Sequence, residues 1–193
     1  MEERRARLVP PGRAPGPWLV NDPGLPLGLG GLPFVPQGKQ VQPAPVVERL
    51  RAWDATAVSE VIEFRGELTL VVPREQLRRV CDYLRGAPGL EFDFLSDVSA
   101  MDRFPSEPRF ELNYHLLSIS TRQSVRLRVR LQGSDPLVDT VTTIWPTAEW
   151  HEREAFDLLG VRFAGHPDLR RILMPENWEG HPLRKDYPVE GFR

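Results

Sequence analysis

The most regular stretch of this sequence is the seven-residue run Val125-Arg126-Leu127-Arg128-Val129-Arg130-Leu131. Apolar residues alternate strictly with arginines, which is the period of a β-strand whose side chains point to opposite faces. The run predicts a strand with one apolar face and one face lined by arginine. One face of the resulting sheet is therefore expected to meet solvent or a partner.

Four further strands are predicted before this run. Residues 110–119 place Phe110, Leu112, Tyr114 and Leu116 on one face, with His115 on the other as a sheet-surface histidine. Residues 90–96 alternate partly. Two shorter runs, 58–64 and 68–72, flank a turn at Gly66 and read as a hairpin.

Three helices complete the predicted domain, at residues 45–55, 73–86 and 146–159. Leu77, Val80, Cys81 and Leu84 form one apolar stripe of the second helix. Hairpin-like connections favour a mainly antiparallel sheet. We expect an α+β domain over residues 46–160, with the helices packed on one face of the sheet.

The first 45 residues differ from the rest because they hold ten of the 20 prolines and seven of the 15 glycines. No helical or strand period survives that density, so residues 1–45 are predicted to form an extended N-terminal arm. The run 28–31 is glycine-rich, but Pro33 stands where a dinucleotide loop needs its third glycine.

Composition excludes several classes of function. A net charge of −2 gives no reason to expect nucleic acid as a partner. The single cysteine, Cys81, cannot hold an iron–sulfur cluster, which needs about four ligands. No apolar run approaches the roughly 20 residues that span a bilayer. Of 25 basic residues 23 are arginine, a side chain suited to protein interfaces.

The third helix carries an unusual number of charges. Glu152 falls on its buried side and needs an arginine or backbone donors, or else a raised pKa. Arg153 is spaced to pair with Glu149 and Asp157 along the outer face. His151 and Glu154 are spaced to share a metal, but no further ligand cluster is evident. A structural ion-pair network around Glu152, Arg153 and Glu154 is the favoured interpretation.

The segment 161–193 has no regular period, yet it carries apolar residues among its arginines. Such anchors suit a tail laid across another protein, although a tail wrapped over its own domain fits equally well. The segment contains two Gly-His-Pro stretches, at 165–167 and 180–182.

Three stretches of this region resemble a known family. They are Glu152-Arg153-Glu154-Ala155-Phe156-Asp157-Leu158-Leu159-Gly160-Val161, Gly165-His166-Pro167-Asp168-Leu169-Arg170-Arg171-Ile172-Leu173 and Glu179-Gly180-His181-Pro182-Leu183-Arg184-Lys185-Asp186-Tyr187-Pro188. Together they resemble the signature of the thirty-kilodalton-type subunit of bacterial NADH:quinone oxidoreductase, respiratory complex I, which the mitochondrial enzyme also has. The resemblance extends over roughly residues 45–190.

The resemblance implies a non-catalytic structural subunit in the peripheral arm of a proton-translocating NADH:quinone oxidoreductase. Its expected partners are the large quinone-site subunit and neighbouring iron–sulfur subunits, at the cytoplasmic side of the cell membrane. NADH, FMN, Fe–S clusters and quinone are expected elsewhere in the complex, with no cofactor on this chain. The interface candidates are Glu152, Arg153, Glu154, Asp157, His166, Asp168, Arg170, Arg171, Trp178, His181, Arg184, Lys185, Asp186 and Tyr187.

Two alternatives remain. Related scaffold subunits occur in ferredoxin-linked quinone reductases and membrane-bound hydrogenase complexes. A free-standing enzyme would have to use His151, Glu154, His166 or His181, and turnover by the isolated chain would reveal it.

Overall fold

The computed structural model describes residues 43–190. The predicted arm, residues 1–45, lies almost wholly outside them, and the division into arm, domain and tail stays a prediction. The elements are α1 (Pro43–Trp53), β1 (Glu60–Phe64), β2 (Glu67–Val71), a 3-10 turn (Arg74–Gln76), α2 (Leu77–Gly86), β3 (Phe94–Asp102), β4 (Phe110–Ser118), β5 (Gln123–Leu131), β6 (Leu137–Asp139), α3 (Ala148–Leu159) and β7 (Arg162–Ala164).

Five of the strands form one sheet in the order β1-β2-β5-β4-β3. All of its pairs are antiparallel except β2 with β5, which is parallel. The short strands β6 and β7 pair separately in parallel. The predicted α+β fold with a mainly antiparallel sheet is therefore confirmed.

The core lies between the helices and the apolar face of the sheet. Tyr114 and Leu127 face each other in the register of β4 and β5, and both are fully buried. Helices α1, α2 and α3 contribute Leu50, Cys81 and Ala155 to the same core. Burial raises the pKa of the Cys81 thiol well above its ordinary value, as expected for an inert packed thiol.

The opposite side of the sheet, which we call the open face, is polar at its centre. Arg126, Arg128 and Arg130 of β5 project there, as the alternation predicts, beside Glu111 and His115 of β4 in the strand register. Its full set, read from the register, is Glu60, Ile62, Phe64, Glu67, Thr69, Val71, Phe94, Asp97, Ser99, Met101, Glu111, Asn113, His115, Leu117, Ser124, Arg126, Arg128 and Arg130.

The predicted strand at residues 90–96 is wrong over its first part, because β3 begins only at Phe94. Gly89 and Glu91 adopt positive φ angles of 77° and 44°, so the chain turns where the alternation suggested an extended path. Leu90 and Phe92 are buried from this turn. Alternating hydrophobicity here reflects packing under a turn.

Among the described residues no helix is long and apolar enough to cross a membrane.

Candidate functional site

The chain beyond β7 returns to helix α3 and completes its C-terminal end. We call the described part of it, residues 165–190, the tail. The Leu159 carbonyl accepts a hydrogen bond from Arg184 Nε at 2.7 Å, and the Leu158 carbonyl accepts one from the Leu183 amide at 3.0 Å. Helices leave their last carbonyls without internal partners, and cationic groups there also complement the helix dipole. The tail thus supplies the cap of α3.

Asp157 links α3 to the tail through its carboxylate. Its Oδ2 accepts three backbone N–H groups of residues 172–174, at 3.0, 2.8 and 2.8 Å, and its Oδ1 pairs with Arg171 at 2.6 Å. Arg171 also donates to the carbonyls of Trp178 and Gly180. The carboxylate side chain is fully buried. Burial raises the pKa of Asp157, but these hydrogen bonds outweigh it and leave the pKa below its ordinary 3.8.

The two Gly-His-Pro stretches place one histidine at each end of α3. His166 Nε2 lies 3.2 Å from the Glu149 carbonyl while its Nδ1 accepts the Asp168 amide, so Nε2 carries the proton. His181 Nδ1 lies 2.8 Å from the Asp157 carbonyl and therefore donates to it. Burial lowers the pKa of His181. Each imidazole therefore holds the tail to α3 by a hydrogen bond to a backbone carbonyl of the helix.

Glu152 is fully buried within the core side of α3. Its Oε1 accepts the Val141 amide at 2.9 Å and its Oε2 lies 2.5 Å from the Thr140 hydroxyl. His166 Nε2 lies 4.0 Å from Oε2. Burial raises the pKa of Glu152 to about 7, against the lowering effect of these two hydrogen bonds. The backbone donor and the raised pKa were among the expected solutions.

The ion-pair network predicted around Glu152, Arg153 and Glu154 does not form in residues 43–190. Within the part of the chain that the structure describes, the partners of Glu152 are Thr140, Val141 and His166, and no arginine is among them. Arg153 is 7% exposed rather than on the outer face. It donates to the carbonyls of Arg170 and Arg171 at 3.2 and 3.1 Å. The tail covers this side of the helix, so the face that was predicted to be exposed to solvent is buried.

The far end of the tail is fixed to the sheet. Asp102, the last residue of β3, accepts the Lys185 amide at 2.9 Å and pairs with Arg109 at 2.8 Å. Arg109 in turn pairs with Asp186 at 2.6 Å. Burial raises the pKa of Asp102, but hydrogen bonds from Arg109, Lys185 and Phe104 outweigh it and bring the pKa to about 2. Residues 183–186 are thereby tied to both α3 and β3.

Arg171, His181 and Arg184 of the tail bond to α3, whereas several large apolar side chains of the tail are exposed. Leu173 is 60% exposed and Leu183 is 59% exposed. Trp178 is partly exposed, and Trp150 on α3, stacked by Arg153, is 61% exposed. Exposed apolar groups on a rigidly held backbone suit a protein interface.

Of the four remaining candidates three are exposed, and Tyr187 is half-buried. Glu154 is exposed on α3. Asp168 and Arg170 form a solvent-exposed pair at 2.8 Å. The Tyr187 hydroxyl lies 3.4 Å from the Glu179 carbonyl. The structure thus brings Glu152, Arg153, Asp157, His166, Arg171, His181 and Arg184 together around α3, whereas Lys185 and Asp186 lie at the end of β3.

Three residues of this joint were not singled out from the sequence. Thr140 lies in a loop, where no hydrophobic periodicity indicates which side chains are buried. Arg109 pairs with Asp102 at the end of β3, and the sequence does not show how β3 and β4 align. Gly160 directly follows the last residue of α3. Its φ of 75° is the left-handed cap, and a Cβ there would lie 2.6 Å from His181 Nε2. The short distance between Gly160 and this histidine has no local sequence signal.

The described residues contain no group of three or more His, Cys, Asp or Glu side chains arranged to hold a metal ion. The arrangement around α3 is one of caps, clips and ion pairs. These contacts hold the tail against α3 and leave apolar surface exposed.

Comparisons with known proteins agree on one family. The sequence model described as "Respiratory-chain NADH dehydrogenase, 30 Kd subunit" matches residues 70–193. An NADH-quinone oxidoreductase subunit of Rhizobium meliloti (strain 1021) is 50% identical over 137 residues, covering 71% of this chain and 75% of the relative. The corresponding subunit of Roseiflexus sp. (strain RS-1) is 48% identical over 146 residues, covering 76% and 84%.

Two solved structures share the fold. The trypsin-resistant fragment (1–134) of Nqo5 superimposes with a TM-score of 0.56 and 31% identity, covering 64% of this chain and 96% of that one. A chain in the structure of the membrane-bound sulfane sulfur reductase, an archaeal respiratory membrane complex, gives a TM-score of 0.63 at 25% identity, covering 75% and 84%.

Proposed function

The chain belongs to the family of 30 Kd subunits of the respiratory-chain NADH dehydrogenase, and on this basis we propose that it anchors the large quinone-site subunit within the complex. As a member of this family it is a peripheral-arm subunit of an NADH:quinone oxidoreductase and is not itself catalytic. The observation that carries the proposal is the row of exposed apolar side chains on the tail, at Leu173, Trp178 and Leu183.

The tail is suited to this role because its backbone is fixed before any partner arrives. Asp157 holds residues 172–174 and Arg184 holds the stretch around Leu183. Anchors presented on an ordered backbone bind with less loss of conformational entropy than anchors on a flexible segment. We therefore assign the docking energy to the apolar side chains and the positioning to the polar ones.

The electron-transfer groups are assigned to other chains. A cluster needs about four thiolate ligands and this chain has one cysteine, which is buried. We propose that NADH, FMN, the Fe–S clusters and quinone all bind elsewhere in the complex. The chain would then reach the cytoplasmic side of the membrane through its partners.

A tagged chain purified from native membranes tests the assembly. We expect NADH-binding, iron–sulfur and large quinone-site subunits to co-purify, with NADH:quinone activity in the purified complex. Recovery of the chain alone, or turnover of a substrate by the isolated 22.0 kDa chain, would overturn the proposal.

Deletion of residues 166–193 is expected to prevent assembly, and an active complex lacking them would refute the tail's role. Because the deletion also removes the cap of α3, point substitutions separate docking from folding. Leu173→Ser and Leu183→Ser together should leave the melting temperature of the isolated chain nearly unchanged and weaken its retention in the complex. The matched control is Ile119→Ser, equally exposed at 61% but outside the tail. Equal retention of both variants would remove the assignment.

A second candidate is the same scaffold role in a related respiratory complex. It is favoured by the likeness to a chain in the sulfane sulfur reductase structure, at a TM-score of 0.63 and 25% identity. The purification above distinguishes the two, since only the NADH-linked complex brings an NADH-binding subunit with it.

A further inference from the structure

One end of the open face, near the start of β4, holds a buried carboxylate surrounded by arginines. Glu111 is 2% exposed. Its two oxygens lie 3.1 Å from Arg103, 2.9 Å from Arg128 and 4.0 Å from Arg130. A carboxylate this deeply buried is stable as an anion only beside cations, which explains at least one of the three arginines. We call these four residues the arginine cluster.

The arginine cluster has more positive charge than its own carboxylates balance. Three guanidinium groups face Glu111, and within residues 43–190 the one other acid that pairs with them is Glu60, 3.1 Å from Arg130. One positive charge is left over. Arg130 Nε is buried and finds no hydrogen-bond partner within residues 43–190. A guanidinium offers five N–H donors in a planar fork, so this group of arginines retains donors for a further acceptor.

The surroundings of the cluster resemble the rim of a protein interface. Met101 lies opposite Glu111 in the β3–β4 register, on the same face, and is 47% exposed. Ser99, two residues earlier on the same face, is also exposed. An apolar side chain beside a charged centre favours a polypeptide over a free inorganic anion, which would gain nothing from Met101.

We propose that the arginine cluster receives an aspartate or glutamate side chain from an acidic segment of a neighbouring chain of the complex. The inference rests on the proposed function and adds a second contact surface to the tail. A second copy of this chain is a poor occupant, because it would bring its own surplus of positive charge to the same place. An arginine fork donates two hydrogen bonds to a carboxylate in a bidentate geometry, which suits an acidic side chain as the occupant.

The test is site-specific photo-cross-linking in the assembled complex. A benzoylphenylalanine replaces Met101, and a matched control carries it at Arg78, an exposed position on helix α2. We expect the probe at 101 to label one peptide of another chain that contains aspartate or glutamate next to the cross-linked residue. The probe at 78 should not label that peptide.

Charge reversal then tests the chemistry. Arg103→Glu should speed dissociation of the chain from the complex about tenfold, equivalent to about 1.4 kcal/mol, while Arg78→Glu should not. Arg103→Gln, which avoids placing two carboxylates together, should give a smaller effect in the same direction. Replacing the cross-linked acid of the partner by lysine should restore retention of Arg103→Glu. Circular dichroism of the isolated chains checks that each variant is folded.

Three outcomes would overturn the inference: a cross-link to a second copy of this chain, a labelled peptide without acidic residues, or no label at 101 in an intact complex. Equal dissociation of Arg103→Glu and Arg78→Glu would do the same. Failure of the proposed function is distinguishable, because then no complex co-purifies with the chain at all.

Discussion

The imidazole of His181 occupies the space in which a side chain at Gly160 would have to lie. A Cβ built at Gly160 would be 2.6 Å from both Nε2 and Cδ2 of that ring. The same residue carries the left-handed φ of 75° that ends α3. The end of α3 and the hydrogen bond from His181 to the Asp157 carbonyl therefore both depend on a glycine at position 160.

Gly160→Ala should destabilise the isolated chain by at least about 1–2 kcal/mol, the cost of a left-handed L-residue. Displacement of His181 from the Asp157 carbonyl would add to this. Thermal or urea unfolding measures the change. Gly86→Ala is the matched control, since a Cβ there meets nothing within 4 Å and the position is the last of α2. It should be neutral or slightly stabilising.

Asp157→Asn should cost about 3 kcal/mol, because it leaves Arg171 without its buried carboxylate. The folded-state pKa of Asp157 lies below 3.8, so its contribution is present above that value and is lost as the pH falls through the folded pKa. Urea unfolding at neutral pH gives the magnitude. Asp168→Asn, which breaks only an exposed pair with Arg170, should change stability by less than about 1 kcal/mol. Similar losses in the two variants would contradict the assignment.

Glu152→Gln should flatten the pH dependence of stability. The folded-state pKa is about 7 and the ordinary value is 4.5, so the contribution of Glu152 is complete below 4.5 and is lost as the pH rises through about 7. The wild type should lose on the order of 2–3 kcal/mol over that window from this group. The free energy of unfolding is measured in urea at pH 5 and pH 8 for both proteins. The difference between variant and wild type gives the contribution of Glu152. Glu154→Gln, exposed on the same helix, should keep the wild-type slope.

Asp102→Asn should loosen the far end of the tail without melting α3. The Lys185 amide donates to Asp102 at 2.9 Å, so its hydrogen exchange should become faster by at least about tenfold, while the amides of α3 keep their protection. Exchange followed by mass spectrometry on the peptide spanning 183–187 measures this. Asp135→Asn, whose partners Arg74 and Arg162 lie outside the tail, is the control and should leave that peptide unchanged.

Local periodicity was enough to predict the two long central strands. The alternation at 125–131 and at 110–119 identified β5 and β4 with the correct buried faces, because each strand has one face in the core. It failed at Leu90 and Phe92, where positive φ angles bend the chain and burial comes from a turn.

The site was harder to predict, because its contacts join residues far apart in sequence. A helical wheel placed Arg153 and Asp157 on the outside, since a wheel assumes solvent beyond the core face. Both are buried because the tail returns over α3, with Arg171 reaching Asp157 and the backbone of 170–174 covering this side. The sequence identified which charged residues matter. Their partners could be assigned only from the three-dimensional path of the chain.

Residues 184–186 contact both the sheet and helix α3, and this determines which contacts a force on the C-terminal end of the chain would act on first. The Lys185 amide donates to Asp102 at the end of β3, and Asp186 pairs with Arg109 just before β4. Arg184 donates to a carbonyl of α3. A neighbour that pulls on the chain after this point would stretch bonds anchored in the five-stranded sheet before it could peel the tail from the helix. Strain arriving from a moving assembly would be spread across the sheet, and the apolar anchors upstream would keep their positions.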